Sequence, residues 1–423
     1  MNIFKADKQP NEVFNPRGEY NPDMYIARPE YEKSFRLALH SDLCILVHGQ
    51  SGTGKTWLTR RVLTGQHLEY RVVNLATAST AGSINSCLKS IMSSEGWEIR
   101  TGRTERMSAG ANAGIANGKL ETENKFESYI DYFMEFLKFF SYRAKDKNKK
   151  RYIIFENMEA ILADDSLIRE LANIITLVDD ERVLKYKTKF LIIGATKDIH
   201  QYFKKVLNVN TIDNRVYELE DIGTLTTTQA RQLVRQGFEK LQIQFSSDEV
   251  KNDCIEEYVR ITGGLPQRLH ELCLIFSELC REYDRIVENT LIKEGIARWI
   301  RTSLHKNYVF TARLLDNDGK ENSFKNKVLY CLTQKDALYF TKEEIDAELV
   351  EDFPVSMGDK LTLSTTTRIL NELCKCEPPL LCSSEDTFGQ YAFVDFKCAL
   401  CLRAILAKDG ERVYKNDAYD IYL

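Results

Sequence analysis

Several things are scarce in this sequence, and each scarcity removes a class of protein. No apolar run approaches the roughly 18 residues that a membrane-spanning helix needs. The first residues, Met1 to Asp7, hold no signal-peptide core, so a cytoplasmic location without membrane attachment is expected. Net charge is only −4. Residues 301–423 carry 16 Lys and Arg against 20 Asp and Glu, which leaves −4, and residues 1–300 balance at 42 of each. That distribution lacks the basic footprint of a strong nucleic-acid binder. Prolines number only 8. The 11 cysteines, an odd count without a secretion signal, read as reduced thiols. Cys374, Cys376, Cys382, Cys398 and Cys401 have C-x-C and C-x-x-C spacings that could suit zinc. Cys398 and Cys401 fall on an apolar helical stretch and Cys374 at the end of another helix, where free cysteine packs as a small hydrophobe, and core packing is the preferred reading.

What is present is dominated by one octapeptide. Gly49-Gln50-Ser51-Gly52-Thr53-Gly54-Lys55-Thr56 is a complete G-x-x-x-x-G-K-S/T phosphate-binding loop. Before it, Leu43-Cys44-Ile45-Leu46-Val47 is apolar enough for a buried strand. After it, Trp57 to Leu63 has the 3-to-4 spacing of a helix. Glycines let the backbone turn its N–H groups toward phosphates, Lys55 reaches the β- and γ-phosphates, and Thr56 holds Mg²⁺. Trp57, next to the loop, joins the nucleotide-binding set. Binding of ATP with Mg²⁺ is therefore expected.

The rest of the chain alternates. Residues 1–24, with Pro10, Pro16 and Pro22, read as an extended arm rather than a packed element. A helix over Glu30–Leu39, a strand over Tyr70–Leu75 and a helix over Ile84–Met92 follow. Glycines and small polar residues over about 100–126 read as a flexible insertion. Phe126–Tyr142 reads as an aromatic-rich helix, and the basic run from Arg143 to Arg151 as a solvated turn. Two buried strands come next, Tyr152–Phe155 and Phe190–Thr196. The first delivers Glu156, Asn157 and Glu159 to its carboxyl end, the second half of a nucleotide site in an open α/β sheet. Residues 25–222 thus predict a parallel sheet with flanking helices. Helices are predicted over Thr226–Leu241, Asp248–Thr262, Gln267–Tyr283 and Glu288–Ser303, a consecutive helical region at 223–303. Residues 304–423 give helices at Lys325–Gln334, Thr341–Glu348 and Ser364–Cys374, then strands near Leu380–Cys382 and Tyr391–Val394 around a turn at Ser384–Gly389.

With these residues in view, the chain resembles AAA+ P-loop ATPases of the origin-recognition-like and STAND (signal-transducing, numerous-domain) groups. The resemblance implies an α/β parallel-sheet AAA+ core over 25–222, an α-helical lid over 223–303 and a winged-helix-like domain over 304–423. Tyr25-Ile26-Ala27-Arg28-Pro29-Glu30 is similar to the family's GRxxE entry motif, which lines the adenine pocket, with Ala27 in place of glycine. Thr196 matches the sensor-1 position. Asn214-Arg215 resembles the box that offers an arginine finger to a neighbouring subunit. Gly263-Gly264-Leu265-Pro266-Gln267-Arg268 is similar to the G-x-P lid motif, where Arg268 would be sensor 2. At the Walker B position the family's Asp-Glu pair is replaced by Glu156-Asn157. Glu156 remains a carboxylate for Mg²⁺, Asn157 cannot take a proton from water, and Glu159 is the substitute base.

The resemblance implies an ATP-dependent molecular switch whose nucleotide state governs homo-oligomerisation and engagement of a protein partner or effector on another chain. Relatives of this build in bacteria and mobile elements serve phage defence or DNA transactions. The alternatives are an ATP-dependent DNA-binding adaptor and a hydrolytic remodeller. The helix Ser364–Cys374 offers only Arg368 and Lys375 as cations, so a winged helix packing on protein is preferred to a DNA reader.

Overall fold

A computed structural model of the chain describes residues 8–97, 132–194, 202–203, 212, 214–284, 286–316, 323–334, 339–356, 362–383 and 389–416. The predicted insertion at 100–126, Thr196 and the turn residues 384–388 lie outside the described residues. The chain divides into two compact units, Arg28–Ile222 and Met1–Ala27 with Gly223–Leu423.

The unit Arg28–Ile222 is built on one five-stranded sheet. In chain order its elements are α1 (Pro29–Ala38), β1 (Cys44–Val47), α2 (Lys55–Gly65), β2 (Glu69–Asn74), α3 (Leu75–Ala81), α4 (Ile84–Ser94), α5 (132–143), β3 (Arg151–Glu156), α6 (Asp165–Thr176), β4 (Thr188–Ile193) and β5 (Val216–Glu218). The strand order is β2-β3-β4-β1-β5, with every pairing parallel. All-parallel strands need both faces covered, and the strands obey that demand. Cys44 and Leu46 join Ile153, Phe155, Phe190 and Ile192 in one core. The alternate residues Ile45 and Val47 join Ile154, Leu191, Leu58 and Val62 in the other. The period-2 alternation of β1 thus feeds two cores, which is why four consecutive apolar residues are needed there.

The predicted strand Tyr70–Leu75 ends one residue early. Asn74 accepts from Ala76 N at 2.9 Å and caps α3, so Leu75 opens a helix. The helix α3 has no apolar periodicity in its Leu-Ala-Thr-Ala-Ser-Thr-Ala sequence, and only its cap and packing reveal it.

The second unit is mostly helical: α7 (Thr227–Lys240), α8 (Asp248–Thr262), α9 (Pro266–Tyr283), α10 (Asn289–Trp299) and α11 (His305–Leu314), with a π-helical turn at Ile300–Leu304. Then follow α12 (Phe324–Gln334), β6 (Tyr339–Thr341), α13 (Lys342–Asp352), α14 (Thr362–Lys375), β7 (Leu381–Ser383), β8 (Gln390–Phe393), α15 (Lys397–Ile405) and the hairpin β9 (Leu406–Asp409) and β10 (Arg412–Lys415). The strands β6, β8 and β7 form an antiparallel sheet in that order. Cys398 and Cys401 are buried in α15, Cys382 is exposed, and all the cysteines are free thiols. Among the described residues, no group of three His, Cys, Asp or Glu is arranged to hold a metal. Among them, too, no helix is long and apolar enough to cross a membrane.

The N-terminal segment is not the extended arm that its prolines suggest. Pro10 sits at the first position of a helical turn, Pro10–Val13, and Pro22 opens a 3-10 turn, Pro22–Met24. Proline is tolerated at a first helical position because its missing N–H would be unpaired there anyway. Val13, Phe14 and Met24 are buried. The Phe14 ring packs edge-on against Phe238 of α7 at 6.0 Å and His270 of α9 at 5.9 Å. Apolar side chains at three positions outweigh the local signal of the prolines.

Candidate nucleotide-binding site

The carboxyl ends of the parallel strands bring one set of residues together. β1 runs directly into the loop, and the loop root is pinned on both sides. Gly194 N donates to Val47 O at 3.1 Å and Ile222 N to His48 O at 3.0 Å. The second bond explains the first glycine. Gly49 has φ +143°, and a Cβ there would lie 2.5 Å from Ile222 O. Only glycine lets the 222 backbone approach so closely. At the far end Gly54 takes a left-handed conformation as the N-cap of α2 and supplies no side-chain cap. The first N–H groups of α2 are therefore left to bind an anion, where the helix dipole favours it.

Two contacts hold the loop's shape. Thr53 donates through Oγ1 to Gln50 O at 2.9 Å, closing a turn, and Arg28 Nη1 donates to Thr53 O at 2.9 Å. Arg28 is buried, its guanidinium lies 4.5 Å from the Tyr31 ring centre, and its own N–H donates to Glu32. It braces the loop. Lys55 Nζ donates to Gly49 O at 2.7 Å and to Gln50 O at 2.8 Å. Burial lowers its pKa to about 8, against the opposing pull of Glu159 and Asp221. An ammonium held in a nearly closed cradle of carbonyls gains most from an anionic oxygen. Thr56 and Trp57, half-buried, follow in the first turn of α2.

Opposite the loop, β3 ends in Glu156. Its side chain is only 15% exposed and its Oε1 has no hydrogen-bond partner. Burial raises its pKa, opposed by Arg60, whose Nη2 stands 4.0 Å from Oε1. Asn157 has φ 60°, a left-handed conformation that asparagine tolerates better than most residues, and Nδ2 donates to Asn74 Oδ1 at 2.9 Å. That residue ties the ends of β2 and β3 together. A 3-10 turn, Met158–Ile161, follows, and the exposed Glu159 on it acts electrostatically on Lys55. The donor set suits a nucleoside triphosphate and its Mg²⁺: uncapped amides, Lys55, the Thr56 hydroxyl, and a carboxylate oxygen without a partner.

The other sequence candidates lie elsewhere. Arg215 sits at the amino edge of the sheet, where its carbonyl accepts from Cys44 N at 2.8 Å and its Nε pairs with Asp179 at 2.8 Å. The whole length of β1 separates that edge from the loop, so Arg215 does not serve its own site. Arg268, in the second unit, donates to Glu271 Oε2 at 2.7 Å, and Trp299 Nε1 shares that oxygen at 3.0 Å. Just before it, Gly263 ends α8 with φ +57°, and a Cβ at Gly264 would lie 2.4 Å from Leu225 O.

Three residues of the site carry no motif. His48 is buried, with Nε2 2.9 Å from Glu218 Oε1 and Nδ1 3.5 Å from Asp221 Oδ1. The second separation is an electrostatic contact rather than a formed hydrogen bond. Asp221 also approaches the loop, 3.0 Å from where a Cβ of Gly49 would stand. Arg60 could have been found, since it lies four residues after Thr56 and shares its helix face.

No protein-family model matches the sequence, and no curated protein matches it. Solved structures do. The fold is similar to the Walker-type ATPase of Pyrococcus abyssi, with 13% identity, 92% of this chain and 99% of that chain covered, and a TM-score of 0.50. It is similar to the ORC2 protein of Aeropyrum pernix in ADPNP–ADP complexes, with 13% identity, 95% and 98% coverage and a TM-score of 0.52. The ADP form of that protein gives 13% identity, 95% and 99% coverage and 0.51. At such identities the likeness establishes the fold alone: an α/β P-loop core on a parallel sheet with flanking helices, accompanied by helical parts, as in these structures.

Proposed function

We propose that this chain is an ATP-binding AAA+ switch in which nucleotide state governs self-assembly. The observation that carries the reading is the loop itself: Gly49 fitted against Ile222 O, an uncapped α2, and Lys55 turned onto the loop carbonyls. In this reading the amides of residues 50–55 and Lys55 hold the phosphates. Thr56 and Glu156 hold Mg²⁺, with Trp57 beside them and Arg28 bracing the loop. Thr196 senses the γ-phosphate, Arg215 reaches a neighbouring subunit's nucleotide, and Arg268 is the sensor-2 candidate. Bound Mg²⁺ would shield phosphate charge and orient the γ-phosphoryl group. Asn157 in place of a base favours holding ATP over consuming it. The helix–strand–helix–helix–strand–strand order of α12 to β8 supports a winged-helix reading of that region, and the G-x-P-like motif before Arg268 supports kinship with STAND switches.

The test is the mass of the protein in solution with and without ATP and Mg²⁺. Wild type should shift to a larger species, and Lys55→Ala should not, with nucleotide affinity reduced roughly hundredfold by loss of a charge-assisted contact. A constant mass, with Lys55→Ala indistinguishable from wild type, removes the switch reading.

A second reading, an ATP-dependent DNA-binding adaptor, would use one surface. Thr367, Arg368, Asn371, Glu372, Lys375 and Cys376 line an open groove along α14. The likeness to an origin-recognition protein supports DNA transactions over phage defence as the setting.

A further inference from the structure

Thr56 and Arg60 lie four residues apart on α2 and so project from one face of that helix. The Thr56 hydroxyl is the helix's metal donor in the reading above, and Glu156 is the donor from β3. Arg60 reaches the same carboxylate from one turn further along. Its Nη2 stands 4.0 Å from Glu156 Oε1, and the two side chains are 22% and 15% exposed. That separation is too long for a hydrogen bond. Oε1 of Glu156 and Nε of Arg60 are both buried without a hydrogen-bond partner.

A purely structural pair would look different. Arg71 and Glu95 in the same unit meet as a fork, with Nη1–Oε1 at 2.6 Å and Nη2–Oε2 at 3.0 Å. Arginine prefers that bidentate geometry wherever the backbone allows it. The Arg60–Glu156 pair keeps its charges adjacent and its hydrogen-bonding capacity unspent. A guanidinium so placed attracts the carboxylate and repels any divalent cation that approaches it.

We propose that Arg60 is a positioning residue that acts as a built-in cation beside Glu156, so that the nucleotide site depends only weakly on Mg²⁺. This rests on the ATP-binding reading of the same site. Glu156 has one more methylene than the family's aspartate, which adds to the reach of its carboxylate toward Arg60. The guanidinium supplies part of the positive charge that Mg²⁺ would otherwise bring. The site then holds ATP across a wide range of metal concentration.

The experiment is a fluorescence titration of a labelled ATP analogue, with Mg²⁺ and with excess EDTA, on the full chain. It is accompanied by Mn²⁺ binding to the nucleotide complex read by electron paramagnetic resonance. Wild type should show affinities within about threefold in the two conditions. Arg60→Gln should widen the ratio by about tenfold and tighten Mn²⁺ binding, whereas Arg60→Lys, which keeps the charge, should stay near wild type. Glu156→Gln should remove the effect of Arg60→Gln, and this second background keeps the test informative if one single variant folds poorly. A wild-type ratio that is already large, or an Arg60→Gln ratio unchanged or smaller, overturns the inference while leaving ATP binding intact. Failure of wild type to bind the analogue in either condition overturns both.

Discussion

His48 Nε2 lies 2.9 Å from Glu218 Oε1, tying the last residue before the phosphate loop to the end of the neighbouring strand. Burial alone would push the imidazole's pKa down. The carboxylates of Asp221 and Glu218 outweigh it and hold the pKa above the ordinary 6.5. A raised folded-state value means that the stabilisation is complete below pH 6.5 and is lost as pH climbs through the folded-state pKa. Both carboxylates are more than a third exposed, so the increment is on the order of 1 kcal/mol at most. Thermal melts should show this fall with rising pH in wild type and its absence in His48→Gln. ATP affinity should weaken in the same direction, because neutral His48 no longer offsets part of the negative charge of Asp221 beside the loop.

Gly49→Ala should damage the site more than its small volume suggests. The methyl would stand 2.5 Å from a backbone carbonyl, at a φ of +143° that L-residues rarely adopt. The Ile222 backbone must move, which breaks its bond to His48 O. A loss of about 2 kcal/mol in denaturant unfolding is expected, within the range for strained backbone positions. Nucleotide binding should fall further than stability does. An alanine variant with wild-type midpoint and affinity would contradict this account of the loop.

The legibility of these features in the sequence follows how far apart their partners are. Cys44 to Leu63 could be read directly, because strand, loop and helix are each encoded within a few residues and the glycine spacing is strict. The helices α7 to α9 were legible for the same reason: their apolar periodicity and caps such as Ser247 are local. β5 was not, since three residues carry no periodicity and become a strand only by pairing with β1. The packing of Phe14 against Phe238 and His270 was also hidden, and the prolines around Phe14 argued the other way. His48 and Glu218 are 170 positions apart, and no local pattern links them. Glu159 was readable as a carboxylate, but the left-handed turn at Asn157 that precedes it was not.

That turn governs the expected hydrolysis. Asn157 spends its amide on Asn74 and offers no base, so turnover should be slow. Asn157→Asp retains a residue that tolerates the left-handed conformation and places a carboxylate there. Steady-state phosphate release should rise roughly tenfold or more, toward the lower end of general-base contributions. Glu159→Gln should abolish what turnover wild type has if Glu159 is the substitute base. Fast wild-type turnover that is insensitive to Glu159→Gln would show that another group activates water.

The groove along α14 separates the two proposed settings. Arg368 pairs with Glu372 one turn away, so of the groove's two cations only Lys375 lies outside that pair. Phosphate contacts release condensed counterions, and each one adds about 0.9 to the slope of log affinity against log salt. With so few cations, duplex binding through this face should have a negative slope no steeper than about −2. The double variant Arg368→Ala, Lys375→Ala should remove nearly all of that slope, while Glu372→Gln should strengthen binding by freeing Arg368. Fluorescence anisotropy of a labelled duplex across a salt series, with ATP present, gives the measurement. Undetectable binding at low salt would remove the adaptor reading and leave this face to a protein partner. A steep slope that survives the double variant would move the DNA site to another surface of the chain.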